Sequence, residues 1–182
     1  SKKYKKKTNL TTMDPLSLHK NLQILSKNKI DNVILEASSH GLEQRRLDNL
    51  IINTGIFTNF SHDHLDYHKN MQSYFNSKMY LFRKLLRKNS KIITDEDNKE
   101  FKIINRIANK KKIRKFTIGS SSGNIKILHN KYKKNKQIVT ISNNSEILKV
   151  EIPLIGYFQI KNLFLAILAA INCGLNKNKI FN

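Results

Sequence analysis

The sequence predicts an α/β fold: a mostly parallel sheet flanked by helices, with a small antiparallel β-meander. Three observations predict it. Short apolar runs alternate with amphipathic helical stretches as far as about Phe116, the pattern of parallel strands joined by crossover helices. Between 117 and 153, three segments of alternating apolar and polar residues follow one another, separated by the polar turns KYKKNK and SNNSE, which reads as a meander. The chain has 182 residues, 39% of them hydrophobic, enough for one domain with its own core.

The elements follow in order. The opening KKYKKKTN is basic and polar, the end of a hairpin or a frayed start. Leu16, Leu18, Leu22, Ile24 and Leu25 recur at helical spacing, with Asp14 placed to cap the helix and Pro15 suited to its first turn. Val33, Ile34 and Leu35 form a continuous apolar run, expected to be a strand buried on both faces. TGIFTNF, 54–60, is a second such run. Residues 71–88 predict a helix on which Tyr74, Phe75, Lys78, Leu81, Phe82 and Leu85 share one face. KIITD is a strand and FKIINRIANK a helix. After the meander, IGYFQIKNLFLAILAAINCG is a strongly apolar helix containing Cys173 and closed by Gly174.

Composition narrows the function classes. The formal net charge is +21, which invites a nucleic-acid reading. The lysines, however, are spread over presumed helix faces, loops and turns among many asparagines and isoleucines, as in a chain encoded by AT-rich DNA. A basic nucleic-acid-binding domain is therefore kept only as the non-enzyme alternative. The single cysteine excludes a disulfide within the chain and a cysteine metal cluster. No apolar run is long enough to span a bilayer, and no apolar segment follows the basic start as in a signal peptide. The expectation is a cytoplasmic protein, a monomer, with neither membrane nor nucleic acid as partner.

In an open parallel sheet, ligands gather at the carboxyl ends of strands, and two such ends are unusually polar here. In NVILEASSHGLEQRR, Glu36 follows the apolar run directly; in GIFTNFSHDHLDYH, His62, His64 and His68 alternate with Asp63 and Asp66. A carboxylate and an imidazole meeting there suit a divalent cation held beside phosphates. Glu36 can equally cap the next helix, and His62 and His68 read as solvated loop residues. His64 stands apart because Asp63 or Asp66 can orient its ring. Lys78 falls on the apolar stripe of its helix, where a lysine must snorkel, pair or be chemically altered. The spacing His62, His64, Asp66 partly matches the dizinc H-x-H-x-D-H pattern of metallo-β-lactamase-type hydrolases. Tyr67 stands where the last histidine belongs, and strand–helix alternation is unlike their β-sandwich, so that reading is rejected.

Together, LTTMDPLSLH, LEASSHGLEQRRLD, TNFSHDHLDYHKNMQSYFNSKMYLF and GYFQIKNLFLAILAA resemble, in that order, the central domain of the Mur ligases, within the branch that adds the third residue of the peptidoglycan stem peptide. The resemblance covers essentially all of 1–182. It implies ATP-dependent ligation of a diamino acid to UDP-MurNAc-L-Ala-D-Glu through an acyl phosphate. Of the diamino acids, meso-diaminopimelate is expected ahead of L-lysine; another amino acid of the superfamily is the enzymatic alternative. It further implies that Glu36, His64 and Lys78, the lysine as its carbamate, hold Mg2+, with Lys78 and His64 catalytic. Thr11, Thr12, Ser38, Gln44 and Arg46 match positions that hold the UDP-muramoyl-peptide. Phe158 and Asn162 match positions that contact the adenine of ATP, although Gln159 replaces the asparagine of the G-x-F-N-x-x-N pattern. The family's phosphate-binding loop, G-x-x-G-K-[ST], has no counterpart here; GSSSGN, 119–124, lacks the lysine. On this resemblance the chain is expected to begin inside the central domain, to lack the C-terminal domain, and to be inactive alone.

Overall fold

A computed structural model describes residues 10–143, 146–176 and 180. The chain divides into two compact units, Ser1–Ile51 with Ser61–Leu85, and Ile52–Phe60 with Leu86–Asn182.

The first unit is helical. α1 (Pro15–Lys27) starts as the sequence requires: the Asp14 carboxylate accepts from the Ser17 amide, and Pro15 lies in the first turn. α2 (Ser39–Glu43) is a short helix capped by Ser38. α3 (Met71–Tyr80) opens with a reciprocal cap between Asn70 and Ser73. The chain continues past Tyr80 as one π-helical stretch, Leu81–Leu85, where an uninterrupted α-helix to residue 88 was expected. Within the unit α2 packs on α3, and Leu18, Leu42, Leu47, Tyr74, Phe75, Met79, Leu81 and Phe82 are buried.

The expected strand at Val33–Ile34–Leu35 does not form: residues 31–38 have no regular secondary structure, and Ile34 is 89% exposed. A continuous apolar run becomes a buried strand only where neighbours supply its hydrogen bonds. No strand ladder among the described residues engages this one.

The second unit holds the whole sheet, six strands in the order β1 to β6. β1 (Thr54–Phe57), β2 (Lys91–Asp95) and β3 (Arg114–Gly119) are parallel. β4 (Ile125–Lys133) joins β3 in parallel over two residue pairs, then pairs antiparallel with β5 (Lys136–Asn143), and β5 with β6 (Glu146–Ile152). The meander thus occupies 125–152, and residues 117–119, expected at its start, belong to the last parallel strand. β5 alternates half-buried and buried positions along its length, which is what a strand with one core face and one outer face requires.

α4 (Phe101–Lys111) buries Ile104 and Ala108. α5 (Tyr157–Asn172) is the central helix of this unit: Ile160, Phe164, Leu165, Ile167 and Leu168 join Ile93, Ile118, Ile125, Ile127, Val139, Ile141 and Ile152 in one core. It ends at Cys173, followed by Gly174 at φ 96°, the left-handed position glycine takes without strain. Cys173 is exposed rather than inside the helix, because the cap lifts it out of the apolar face.

Candidate active site

Four of the five residues expected to hold the muramoyl peptide form one hydrogen-bonded network in the first unit. The Thr12 hydroxyl, buried, donates to the Glu36 carbonyl (2.7 Å) and accepts from the Ser38 amide (3.0 Å). Because its one hydrogen is used on Glu36, the Ser38 hydroxyl, 2.8 Å away, is the donor between the two. That hydroxyl also accepts from the Gly41 amide at 3.1 Å, so Ser38 both starts α2 and binds Thr12. Arg46 gives Nη1 to the Thr12 carbonyl (2.6 Å) and both Nε (3.0 Å) and Nη2 (2.5 Å) to Gln44 Oε1. Gln44 Nε2 donates onward to the Tyr67 hydroxyl at 3.0 Å. Thr11 is exposed and stands beside this network.

Gly41 is needed for sterics. A Cβ there would lie 2.6 Å from Thr12 Cβ, inside any tolerated contact, so the close approach of α2 to Thr12 demands a residue without a side chain.

The three expected metal residues belong to the same unit. Lys78 is half-buried on α3, with Nζ 5.0 Å from the centre of the Tyr74 ring. Burial pushes its ammonium below the ordinary lysine value, while the charges of Asp63 and Glu36 pull it back up. Lys78 thus feels the charge of both carboxylates, Glu36 itself being exposed. His64 lies against the same tyrosine, whose ring meets the imidazole edge-on at 5.5 Å. Asp63 holds His64 twice: one oxygen accepts its backbone amide at 2.8 Å and the other lies 3.7 Å from Nε2. His64 is left-handed, φ 56°, a conformation that costs a non-glycine residue about 1–2 kcal/mol. Such strain concentrates at ligand clamps and active sites.

Among the described residues, no three His, Cys, Asp or Glu side chains are gathered so as to hold a metal ion by themselves. A carbamate on Lys78 would add an anionic oxygen donor where the charges of Asp63 and Glu36 are already felt. Such a donor set, oxygen-rich and anionic, suits a hard divalent cation such as Mg2+.

His68 corrects the sequence reading. It is not solvated but 2% exposed, with Nε2 2.9 Å from Ser39 Oγ and Nδ1 3.5 Å from Glu43. Its ring stacks on Tyr74 at 5.2 Å. Burial lowers its pKa, against the opposing charge of Glu43, and the ring belongs to the packing of this unit. His62 is exposed, as expected. Sequence reasoning missed Tyr67 and His40, whose rings lie 3.8 Å apart. Only their place within the motif-bearing segments marked them, His40 on α2 and Tyr67 in the turn before α3.

Phe158 and Asn162 lie in the second unit, at the start of α5. Phe158 is 59% exposed, an unusual place for a phenyl ring, and Asn162 half-buried. Gly156, at φ 97°, lies directly under that ring: a Cβ on it would meet the phenyl at 2.9 Å.

Residues 1–170 match the family described as the Mur ligase middle domain. The chain belongs to that family. A curated relative in Rickettsia bellii, named UDP-N-acetylmuramoyl-L-alanyl-D-glutamate--2,6-diaminopimelate ligase, is 37% identical over 95% of this chain. The protein of the same name in Chelativorans sp. is 36% identical over 93%. A solved structure of a ligase with that name superposes at TM-score 0.82 with 27% identity, over 93% of this chain. This Mur ligase middle domain spans only 35–36% of the length of these proteins.

Proposed function

We propose that the protein containing this chain is an ATP-dependent amide ligase. It joins a diamino acid, meso-diaminopimelate rather than L-lysine, to the D-glutamate γ-carboxylate of UDP-MurNAc-L-Ala-D-Glu. The observation that carries the reading is the half-buried Lys78, under the charges of Asp63 and Glu36, in the unit that also holds the network of Thr12, Ser38, Gln44 and Arg46. The names of the relatives support the choice of reaction and of amino acid.

The chemistry proceeds in two balanced steps. The γ-phosphoryl group of ATP passes to the carboxylate, giving an acyl phosphate and ADP. The diamino-acid amine then attacks the acyl carbon, phosphate leaves with its bonding pair, and the amine nitrogen loses a proton. Both steps crowd anionic oxygens together, so their barrier falls with positioning and charge neutralisation. Glu36, His64 and carbamylated Lys78 would hold Mg2+, which supplies that neutralisation. Arg46, with its planar fork already oriented by Gln44, offers positive charge to an anionic part of the substrate. Thr12 and Ser38 fix the loop that carries Glu36. Phe158 offers its exposed face to the adenine of ATP, and Asn162 a polar contact.

The lowered pKa of Lys78 fits its modification. The neutral amine, not the ammonium, attacks carbon dioxide; a C–N bond forms and a proton is released. Burial favours the neutral form.

Lys78→Ala in the intact protein should abolish amide formation from UDP-MurNAc-L-Ala-D-Glu, ATP and diaminopimelate, and short carboxylic acids such as acetate should restore part of it. Near-normal turnover in the variant would refute the role of Lys78. Wild-type protein that hydrolyses ATP without forming the amide would refute the ligase reading itself.

A further inference from the structure

Helix α5 begins without the usual means of fixing its first turn. Its N-cap is Gly156, and no side chain caps it. Yet this turn carries Phe158 and leads to Asn162, so its position matters if they contact a nucleotide. Two side chains remote in sequence secure it.

From the meander comes Gln137. It is fully buried on β5, and its Nε2 donates to the carbonyls of Leu154 (2.6 Å) and Gly156 (3.3 Å). Its Oε1 accepts from Asn130 Nδ2 on β4 at 2.7 Å. Both amide hydrogens are therefore directed at the loop just before α5, and Asn130 prevents the amide from turning over.

From the ends of the parallel strands come Asp95 and Asp97. Lys161, one turn after Phe158 and next to Asn162, donates to Asp95 Oδ2 at 2.6 Å and Asp97 Oδ2 at 3.2 Å. Asp95 is 1% exposed. Its other oxygen accepts the Asp97 amide at 3.0 Å, and Asp97 Oδ1 accepts the amide (3.1 Å) and hydroxyl (3.0 Å) of Ser120. A buried carboxylate with each oxygen engaged leaves the lysine little freedom. Lys161 Nζ also lies 5.3 Å over the Tyr157 ring, which keeps the first residue of the helix in place.

We infer that Gln137 and Lys161 are positioning residues for nucleotide binding, clamping the start of α5 from the meander and from the strand ends so that Phe158 and Asn162 present a fixed surface to the adenine. The inference rests on the assignment of Phe158 and Asn162 to the nucleotide. It gives the meander a task in the reaction: β4 and β5 serve as the scaffold of one side of the adenine contact. Neither Gln137 nor Lys161 needs to touch ATP.

The test is ADP affinity of the intact protein by calorimetry, with affinity for UDP-MurNAc-L-Ala-D-Glu measured in parallel. Asn162→Ala is the reference; if it leaves ADP binding unchanged, the nucleotide assignment fails and the clamp falls with it. Given that it weakens binding, Gln137→Met, close in volume but without donors, should weaken ADP about tenfold, the scale of one such hydrogen bond, with the dipeptide substrate bound as before. Lys161→Met should do the same and Lys161→Arg should restore most of the loss. Since Lys161→Met strands the Asp95 charge, Asp95→Asn with Lys161→Met is the companion variant, which removes the bridge without an unpaired buried ion. Unchanged ADP affinity in Gln137→Met and in this double variant, alongside a weakened Asn162→Ala, would overturn the clamp while leaving the nucleotide assignment standing. Equal loss of both ligands would overturn it too, as the sign of general unfolding.

Discussion

Lys161 and Asp97 show how single side chains connect the second unit to pH. Burial opposes the charge of Asp97, yet the hydrogen bonds from Ser120 and the bridge to Lys161 outweigh it, and its carboxyl titrates below the ordinary value. Burial likewise opposes the charge of Lys161, and Asp95 and Asp97 outweigh that, raising the ammonium above its ordinary value. A depressed acid stabilises the fold above its unfolded pKa and ceases to as pH falls through its folded one; a raised base stabilises below its unfolded pKa and ceases to as pH rises through its folded one. The bridge therefore holds over the range between about pH 3.9 and about pH 10.4, the ordinary values of the two groups. The urea midpoint of the wild type should exceed that of Asp97→Asn by a constant margin across neutral pH. The margin should close as pH falls below about 3.9. A margin that widens in acid would contradict this account. None of this pairing was legible beforehand: Asp95, Asp97 and Lys161 are ordinary surface-type residues in sequence, 64 to 66 positions apart, and only the strand-end geometry makes them partners. The half-burial of Lys78 was legible, because a cation on an apolar helical stripe is a local contradiction visible in periodicity alone.

Elements were legible where a local signal and the tertiary fold agree. Asp14 and Pro15 at the start of α1, Gly174 after α5, and the alternation of β5 each combine a residue preference with the burial observed. Val33–Leu35 was misread because an apolar run reports affinity for a core and says nothing of the strands that must flank it. The π-helical stretch after Tyr80 escaped since its side chains, Leu81 and Phe82 buried and Arg83 and Lys84 exposed, fit an α-helical stripe almost as well. α2 is five residues long, too short for any periodicity, and its place depends on Ser38 and Gly41. Gly41→Ala tests that dependence. The added methyl would press on Thr12, so Thr12 must retreat and loosen its bonds to Ser38 and Glu36. We expect a loss of about 1–3 kcal/mol, the usual cost of overpacking a close contact, read as a lower urea midpoint. Affinity for UDP-MurNAc-L-Ala-D-Glu should fall as well. A variant as stable as the wild type would show that the approach of α2 to Thr12 is not tight.

At the scale of the whole molecule, the two compact units separate the two groups of candidate residues. Thr12, Glu36, Ser38, Gln44, Arg46, His64 and Lys78 all fall in the first; Phe158 and Asn162, with their support from Gln137 and Lys161, fall in the second. The division follows chain topology: the helical unit is assembled from two stretches, one on each side of β1, whereas the sheet unit collects every strand and the apolar helix α5. Each unit has its own buried residues, so each ligand should order mainly the unit that holds its contacts, a local effect of the kind hydrogen exchange resolves. In the intact protein, UDP-MurNAc-L-Ala-D-Glu alone should slow amide exchange around Ser38–Arg46 and Asp63–Tyr67. ADP alone should slow it at 154–162 and, through Gln137, in β5. The expected pattern is two distinct footprints. If ADP protected only the first unit and left 154–162 exchanging as before, Phe158 and Asn162 would lose their assigned role. If the dipeptide substrate protected nothing around Ser38–Arg46, the hydrogen-bonded network there would be a structural brace and not a binding surface.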